Sequence, residues 1–528
     1  MIICYWYNFI QKYEQFNLEI VIVCIKVNLE ELKILYRIKP VLITLLCLCI
    51  LNITPVFALG EIKEGEILSL KDCINIALKN NPNVQISKNN VKLIQSRVGQ
   101  AKSDFFPTIG ASGGYTGSNM WNNSGITGGN DYYYTAGISL RQLIFNFGKS
   151  NAQIKMQKFN KISAEFDLEY INLKTAYDVK SAYYGVLAAH ALVDVAKSNL
   201  EINKRQYAQI KAYFDEGLKS RIDFVNAEVN LSNSEIELIA AQTAYENTIV
   251  KLNNAMYVAY APSYSIKNTE SFNLEEDWTD VKFLNIGNYK QLEEEVNKPN
   301  DAKIEASEVE PLNYTTPTLS SKVEKSDILE NYVFKPLGLS FEEALDRARE
   351  GRPDFKSYLA AKEAMEEALK YAKKEYLPSI SAQAGYTWRE SDAPTTNSFN
   401  YGATLDLSSV NIMKTKYKVD EAKTQLDIAE ENINLIEKNI FFEVQDAYIN
   451  MIQLEKQIPL YQKRVQQALE NFELADGRYG VGLTDFIELQ DARSQYLNSQ
   501  QEYIQTIYNY NIAKSKLEVA MGEIWRKS

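Results

Sequence analysis

Glu488 and Asp491 lie just past the turn Val481-Gly482-Leu483-Thr484-Asp485, at a spacing that has a chemical consequence. Three apart on a helix, they share a face. Carboxylates crowded together hold some of their protons more tightly and attract cations. The competing use of Glu488 is a capping box closed with Asp485. Enzyme chemistry has less to draw on. There is 1 histidine, His190, in a helical apolar run where packing is its expected role. The 5 cysteines stand at positions 4, 24, 47, 49 and 73, without a nucleophile cluster or metal-ligand spacing. No catalytic residue, metal or cofactor is expected. A net charge of -11 argues against a nucleic-acid partner, which would need a basic face.

The elements that would position such residues are very long. From Lys149 to Phe214 there is no proline, one glycine (Gly185) and a run of strong helix formers, enough to span about 100 Å. Further on, Ile433, Ile436, Ile440, Val444, Ala447, Met451, Leu454 and Ile458 step by three or four, as a coiled-coil seam does. Pro459 is expected to kink that helix, its ring displacing the carbonyl of Glu455. Both long helices end at a glycine turn, Glu216-Gly217-Leu218-Lys219-Ser220 and Val481-Gly482-Leu483-Thr484-Asp485, with Ser220 or Asp485 as N-cap of a returning helix.

The chain is written twice. A shift of 271 places Ser69, Ala77, Pro82, Pro107 and Tyr115 over Ser340, Ala348, Pro353, Pro378 and Tyr386. A shift of 265 places Leu140, Lys149, Val179, Ala182, Gly217, Leu252 and Met256 over Leu405, Lys414, Val444, Ala447, Gly482, Leu517 and Met521. This divides the chain into 1–58, a first repeat at 59–259, an insertion at 260–337 and a second repeat at 338–528. Each repeat reads as helix, two strands, long helix, turn and helix.

The strands alternate. Ile109, Ala111 and Tyr115 interleave with Thr108, Gly110, Ser112 and Gly114; Tyr134, Ala136, Ile138 and Leu140 with Thr135, Gly137, Ser139 and Arg141. In the second repeat Ile380, Ala382, Ala384, Tyr386 and Trp388 alternate, as do Phe399, Tyr401, Ala403, Leu405 and Leu407. Period two over 9 to 11 residues with aromatics near the ends is what a membrane barrel strand shows, and a half-buried soluble hairpin shows the same alternation. Four strands cannot close a barrel, and lipid tolerates no open edge, so a membrane reading requires several chains.

At the amino terminus, Arg37 and Lys39 precede the apolar run Val41–Ile53, and Val56-Phe57-Ala58 offers small residues for cleavage after Ala58. Cys73 would then be the mature chain's one cysteine. An uncleaved anchor is the rival reading; a lipid anchor is disfavoured because Leu46 and Leu48 precede Cys47 and Cys49. Residues 1–36 are unusual ahead of a signal, and no second methionine precedes Met120, so an over-long gene model is expected. The 260–337 stretch, with Leu274-Glu275-Glu276-Asp277 and Glu293-Glu294-Glu295 among prolines, resembles a partly disordered acidic linker.

Several motifs converge on one family. The duplicated helix-strand-strand-helix unit, Pro107 and Pro378 at the helix-to-strand junctions, Phe147-Gly148-Lys149 after the second strand, and the tip string from Arg478 to Ala492 resemble the TolC family of outer-membrane efflux channels. The resemblance covers roughly 65–258 and 338–523. It implies an α+β fold, mostly α, in which a homotrimer in outer-membrane lipid builds a twelve-stranded barrel, four strands per chain, continued by a long helical coiled-coil tunnel through the periplasm. It implies docking to an inner-membrane transporter and a periplasmic adaptor, for drug efflux or type I secretion. On that resemblance Glu488 and Asp491 ring the closed end, where threefold symmetry converges six carboxylates. Asp223 and Tyr479 match a gate pair, while Thr484 replaces the basic residue of a second link, which implies a looser resting gate. Gly217, Leu218, Lys219, Ser220, Val481, Gly482, Leu483 and Thr484 look like tips that meet an adaptor, with plain helix-turn geometry as the competing explanation. The alternative function is a structural coiled-coil spacer of the cell envelope.

Overall fold

Ser69 accepts a hydrogen bond from the backbone N–H of Asp72 and donates one to its carboxylate, and this capping box starts α1, Leu70–Asn80. A computed structural model describes residues 62–119, 130–267, 336–391, 396–406 and 412–523. The signal segment, Met120, most of the acidic insertion, Leu407 and Ser408 lie outside these residues.

A short strand β1, Ile67–Leu68, precedes α1. After α1 comes α2, Pro82–Ser103, with Asn81 as N-cap and proline at its first position, where a missing N–H costs nothing. Strands β2, Thr108–Asn119, and β3, Asn130–Phe145, follow. Then come α3, Lys149–Asp215, and α4, Arg221–Met256. Strand β4, Ser265–Ile266, pairs in parallel with β1. The order then recurs: α5 (Phe341–Gly351), α6 (Pro353–Lys373), β5 (Ser379–Ser391), β6 (Thr396–Asp406), α7 (Ile412–Gly480) and α8 (Phe486–Met521). Helix α5 starts 271 residues after α1, and α8 starts 265 after α4, as the sequence register predicts. At 67 and 69 residues, α3 and α7 each extend about 100 Å. Helix α7 runs on through Pro459 as one continuous helix.

Two matching cores hold the helices together. In the first repeat Cys73, Ile74 and Ala77 of α1 pack on Ala176, Val179 and Tyr183 of α3 and on Leu252 and Met256 of α4. In the second, Ala344 and Ala348 of α5 pack on Val444, Ala447 and Met451 of α7 and Leu517 and Met521 of α8. Ile440, Val444, Ala447, Met451 and Ile458 of the expected seam are buried, with Ile436 and Leu454 packed beside them. Each large apolar side chain enclosed here contributes about 1.5–3 kcal/mol. Ile504 and Tyr508 of α8 enter the first core, so the two repeats share a wall.

The four longer strands form one antiparallel sheet in the order β2-β3-β5-β6. Its register aligns the alternations. Ile109, Leu140, Ala384 and Tyr401 form one cross-strand row, and Ala111, Ile138, Tyr386 and Phe399 the next. The other face carries Thr108, Arg141, Gln383 and Gly402 side by side.

Candidate functional site

Two ends of the molecule carry the features the sequence singles out: the sheet and the helical tips. At the sheet, Pro107 and Pro378 each stand one residue before a strand begins. Proline forces the residue ahead of it out of the helical region, and Leu377 is accordingly extended. The return from strand to helix uses Phe147 and Gly148, both left-handed, at φ 53° and 77°. Phenylalanine is strained there and glycine is not. Lys374 donates to the Gly148 carbonyl at 3.0 Å, and Lys149 and Lys418 both reach Glu375, which their positive charge holds below the usual carboxylate range against the opposing effect of burial. The motif therefore fixes a turn where the sheet joins the long helices.

The apolar face of the sheet has nothing to cover it among the described residues. Ile109 is 73% exposed, Ile138 63%, Phe399 67% and Tyr401 81%. Strands β2 and β6 each pair on one side only. Lipid satisfies the first condition but not the second, since backbone groups at an open edge have no water to bond there. On the polar face Arg141 pairs with Asp406 at 3.6 Å, and the Arg389 guanidinium lies 4.3 Å over the Tyr133 ring.

At the tips, Gly217 and Gly482 take φ 75° and 77°, which lets the N–H groups of Leu218 and Leu483 bond back to the carbonyls of Tyr213 and Arg478. Val481, Leu218 and Leu483 are left exposed. Ser220 then starts α4 by accepting from the Asp223 N–H, while the Asp223 carboxylate accepts from Ser220 N and Oγ. So the hydrogen bonds of Asp223 go to the cap. Tyr479 sits against Phe486, Phe224 and Ile210, with the Lys219 ammonium 4.4 Å over its ring. Burial pushes its phenol up, Lys219 opposes this, and Asp223 adds to it. Among the described residues no hydrogen bond joins the expected pair; the Asp223 charge only disfavours loss of the Tyr479 proton.

Glu488 and Asp491 are both exposed, while Leu489 and Ala492 between and beside them are buried against α7. The acids therefore occupy the face turned away from this chain's core. Asp485 caps α8 by accepting the Glu488 N–H at 2.8 Å. The Glu488 carboxylate does not close a capping box; it takes hydrogen bonds from Thr484 Oγ1 and from Arg478, the latter at 2.9 Å.

Two buried arginines escaped sequence reasoning. Arg493, 3% exposed, reaches from α8 into α3, where it donates to Asn203 at 2.5 Å, Gln206 at 2.9 Å and both the carbonyl and the side chain of Asn199. Asn199 in turn donates to Glu237 of α4. Burial among neutral acceptors pushes the guanidinium down to about 10, with Glu237 and Asp476 working against the shift. Arg352, also 3% exposed, bonds Asp354 through two nitrogens, Glu443 at 2.5 Å and the Ala520 carbonyl. The signal that could have found Arg352 is its place in the repeat, where the first copy has Asn81. His190, expected to pack, is an exposed residue that lies edge-on to Tyr245 and 3.4 Å from Asp194.

Comparison with known proteins follows the same lines. The family model described as "Outer membrane efflux protein" matches residues 73–256 and 344–523. The Outer membrane protein TolC of Escherichia coli (strain K12) is 20% identical over 447 residues, which is 84% of this chain and 80% of that protein. Among solved structures, CusC superposes with a TM-score of 0.64 at 16% identity, covering 88% of this chain and 96% of that one. The Campylobacter jejuni CmeC outer membrane channel gives 0.62 at 18% identity, with 86% and 85% covered. At these identities the superpositions show the fold.

Proposed function

This chain belongs to the outer membrane efflux protein family, and from that premise we propose that three copies close one barrel and one tunnel, opening an exit duct for substrates delivered by an inner-membrane transporter and a periplasmic adaptor. It is an outer-membrane channel with a periplasmic extension. The observation that carries the trimer is the sheet, with an exposed apolar face and two open edges on 4 strands. Two chains would give a barrel filled by its own side chains, whereas three leave a lumen. A second feature supports assembly. Helix α4 exposes Ile222, Val229, Ile236 and Val250, and α7 exposes Ile428, Leu435, Phe442 and Ile449, in each case at multiples of seven residues. Such stripes are seams awaiting another helix.

In this reading the repeats at 59–259 and 338–528 supply alternating segments of the wall. Glu488 and Asp491, turned away from the chain's own core, converge at the axis as an acidic ring that draws cations and constricts the resting duct. Asp223 and Tyr479 hold the neighbouring tips together, and the exposed Gly217-Leu218-Lys219-Ser220 and Val481-Gly482-Leu483-Thr484 turns meet the adaptor. A cell-envelope spacer would need the helices but not a lipid-type sheet at their ends. Planar-bilayer recording tests the proposal: the reconstituted protein should give discrete conductance steps, and Glu488→Gln/Asp491→Asn should weaken block by multivalent cations. A protein that stays monomeric and inserts no conductance would refute the duct; unaltered block in the double variant would refute the ring alone.

A further inference from the structure

The duplication places the same site in this molecule twice, closed by side chains in the second repeat and left as a cleft in the first. In the second repeat, Arg352 lies buried at the start of α6, bonded to Glu443 and to the Ala520 carbonyl, and beside it Lys516 pairs with Asp446 at 2.6 Å. Register with the first repeat puts Asn81 at the position of Arg352, Asp178 at that of Glu443, Lys251 at that of Lys516 and Ser181 at that of Asp446. Of each of these two pairs the first repeat has thus kept one member and lost the other, while of the pair Arg352 makes with Asp354 it keeps neither, since Asn83 stands at the position of Asp354. Where the lost groups would sit there is a cleft of about 450 Å³, lined by Asn81, Asp178, Ser181, Gly185, Lys251 and Tyr257 among others. Among the described residues neither Asp178 nor Lys251 makes a salt bridge or a side-chain hydrogen bond. Desolvation in the cleft raises Asp178 above the usual carboxylate range, with Lys174, one turn earlier on the same helix, pulling it down.

From this geometry we propose that the cleft binds a small zwitterion whose guanidinium or ammonium group meets Asp178 and whose carboxylate meets Lys251. The second repeat supplies the same two charges covalently, from Arg352 and Asp446. A ligand spanning them would bridge α3 and α4 beside the start of α2, closing a groove that the second repeat closes with its own side chains. The room is adequate: 450 Å³ lies within the range of ligand pockets. Gly185 leaves part of that room, since a Cβ built there meets nothing within 4 Å. The proposal is independent of the channel reading, because it rests on the two repeats of one chain.

Calorimetric titration of the full-length, detergent-solubilised protein with L-arginine, and separately with agmatine, which lacks the carboxylate, tests it. One arginine should bind per chain, with agmatine weaker by about tenfold or more because a charged hydrogen bond is lost. Asp178→Asn and Lys251→Gln should each weaken arginine by about tenfold. Asn81→Arg, which restores the internal guanidinium, and Gly185→Leu, which fills the space, should abolish binding. Both charge substitutions are at exposed positions, so the test stays readable if Asn81→Arg fails to fold. Absence of saturable binding at millimolar arginine overturns the proposal, as does binding that neither Asp178→Asn nor Lys251→Gln changes.

Discussion

Arg493 is the residue whose removal should do most at the tips. Its guanidinium serves acceptors on α3 and, through Asn199, the Glu237 carboxylate on α4. Arg493→Met should cost about 2–4 kcal/mol, because the amides left behind are desolvated without partners. Faster hydrogen exchange in α3 and α8 near the tips would show it. Cys73 gives a second test. Burial raises its thiol from an ordinary value of 9.0 to about 12, Asp72 adding to the rise. The folded state thus holds the proton more tightly. Its stabilising effect is complete below pH 9 and fades as pH climbs toward about 12, by about 1.4 kcal/mol per unit at most. Cys73→Ala should flatten alkaline unfolding over that window, and it should be tolerated, since the second repeat has a fully buried Ala344 at the same position. Chemical unfolding of both proteins from pH 8 to 12 measures the difference. These buried groups were hardly legible beforehand: the acceptors of Arg493, and Glu443 and the Ala520 carbonyl for Arg352, lie on helices distant in sequence, and Asp354, two residues from Arg352, does not by itself signal burial.

At the scale of elements, much could be read directly. The proline-free run from Lys149 to Phe214 predicted a helix, which ends at Asp215, and period-two alternation located all four long strands, because both patterns are set by local periodicity. Caps were read at Ser220 and Asp485, and both side chains accept the backbone N–H three residues on, as expected. Which residues share a face of each strand followed from the pattern, but pairing order did not, since β3 meets β5 across more than two hundred residues of chain. The exposed stripes also required the structure, which alone tells a seam already filled from one still open. Ile236→Asp and Leu435→Asp should each leave the single-chain fold intact, being exposed. In the proposed trimer each would bury a charge, so the stability of that assembly should fall by several kcal/mol. Size-exclusion chromatography with light scattering, alongside circular dichroism, separates loss of assembly from loss of helix.

At the scale of the molecule, the family resemblance carried what no single element could, namely that sheet and helices are one conduit. A barrel closed between three chains should survive detergent and migrate more slowly unheated than the boiled single chain in gel electrophoresis; identical migration would count against closure. The tips remain the least legible part. Asp223 and Glu488 were marked by position, yet within the chain Asp223 bonds Ser220, as helix capping explains, and Glu488 bonds Thr484 and Arg478 across the tip turn.

Helices α4 and α8 have the same length, 36 residues, and keep one offset from end to end. Leu252 of one and Leu517 of the other are both fully buried, in parallel cores of one polypeptide. Leu252→Ala and Leu517→Ala should each cost about 2–5 kcal/mol. The two substitutions are made in the same chain, detergent and preparation, so any inequality between them measures neighbourhood alone. The gene has in effect run a paired trial, in which each half serves as the reference sample for the other.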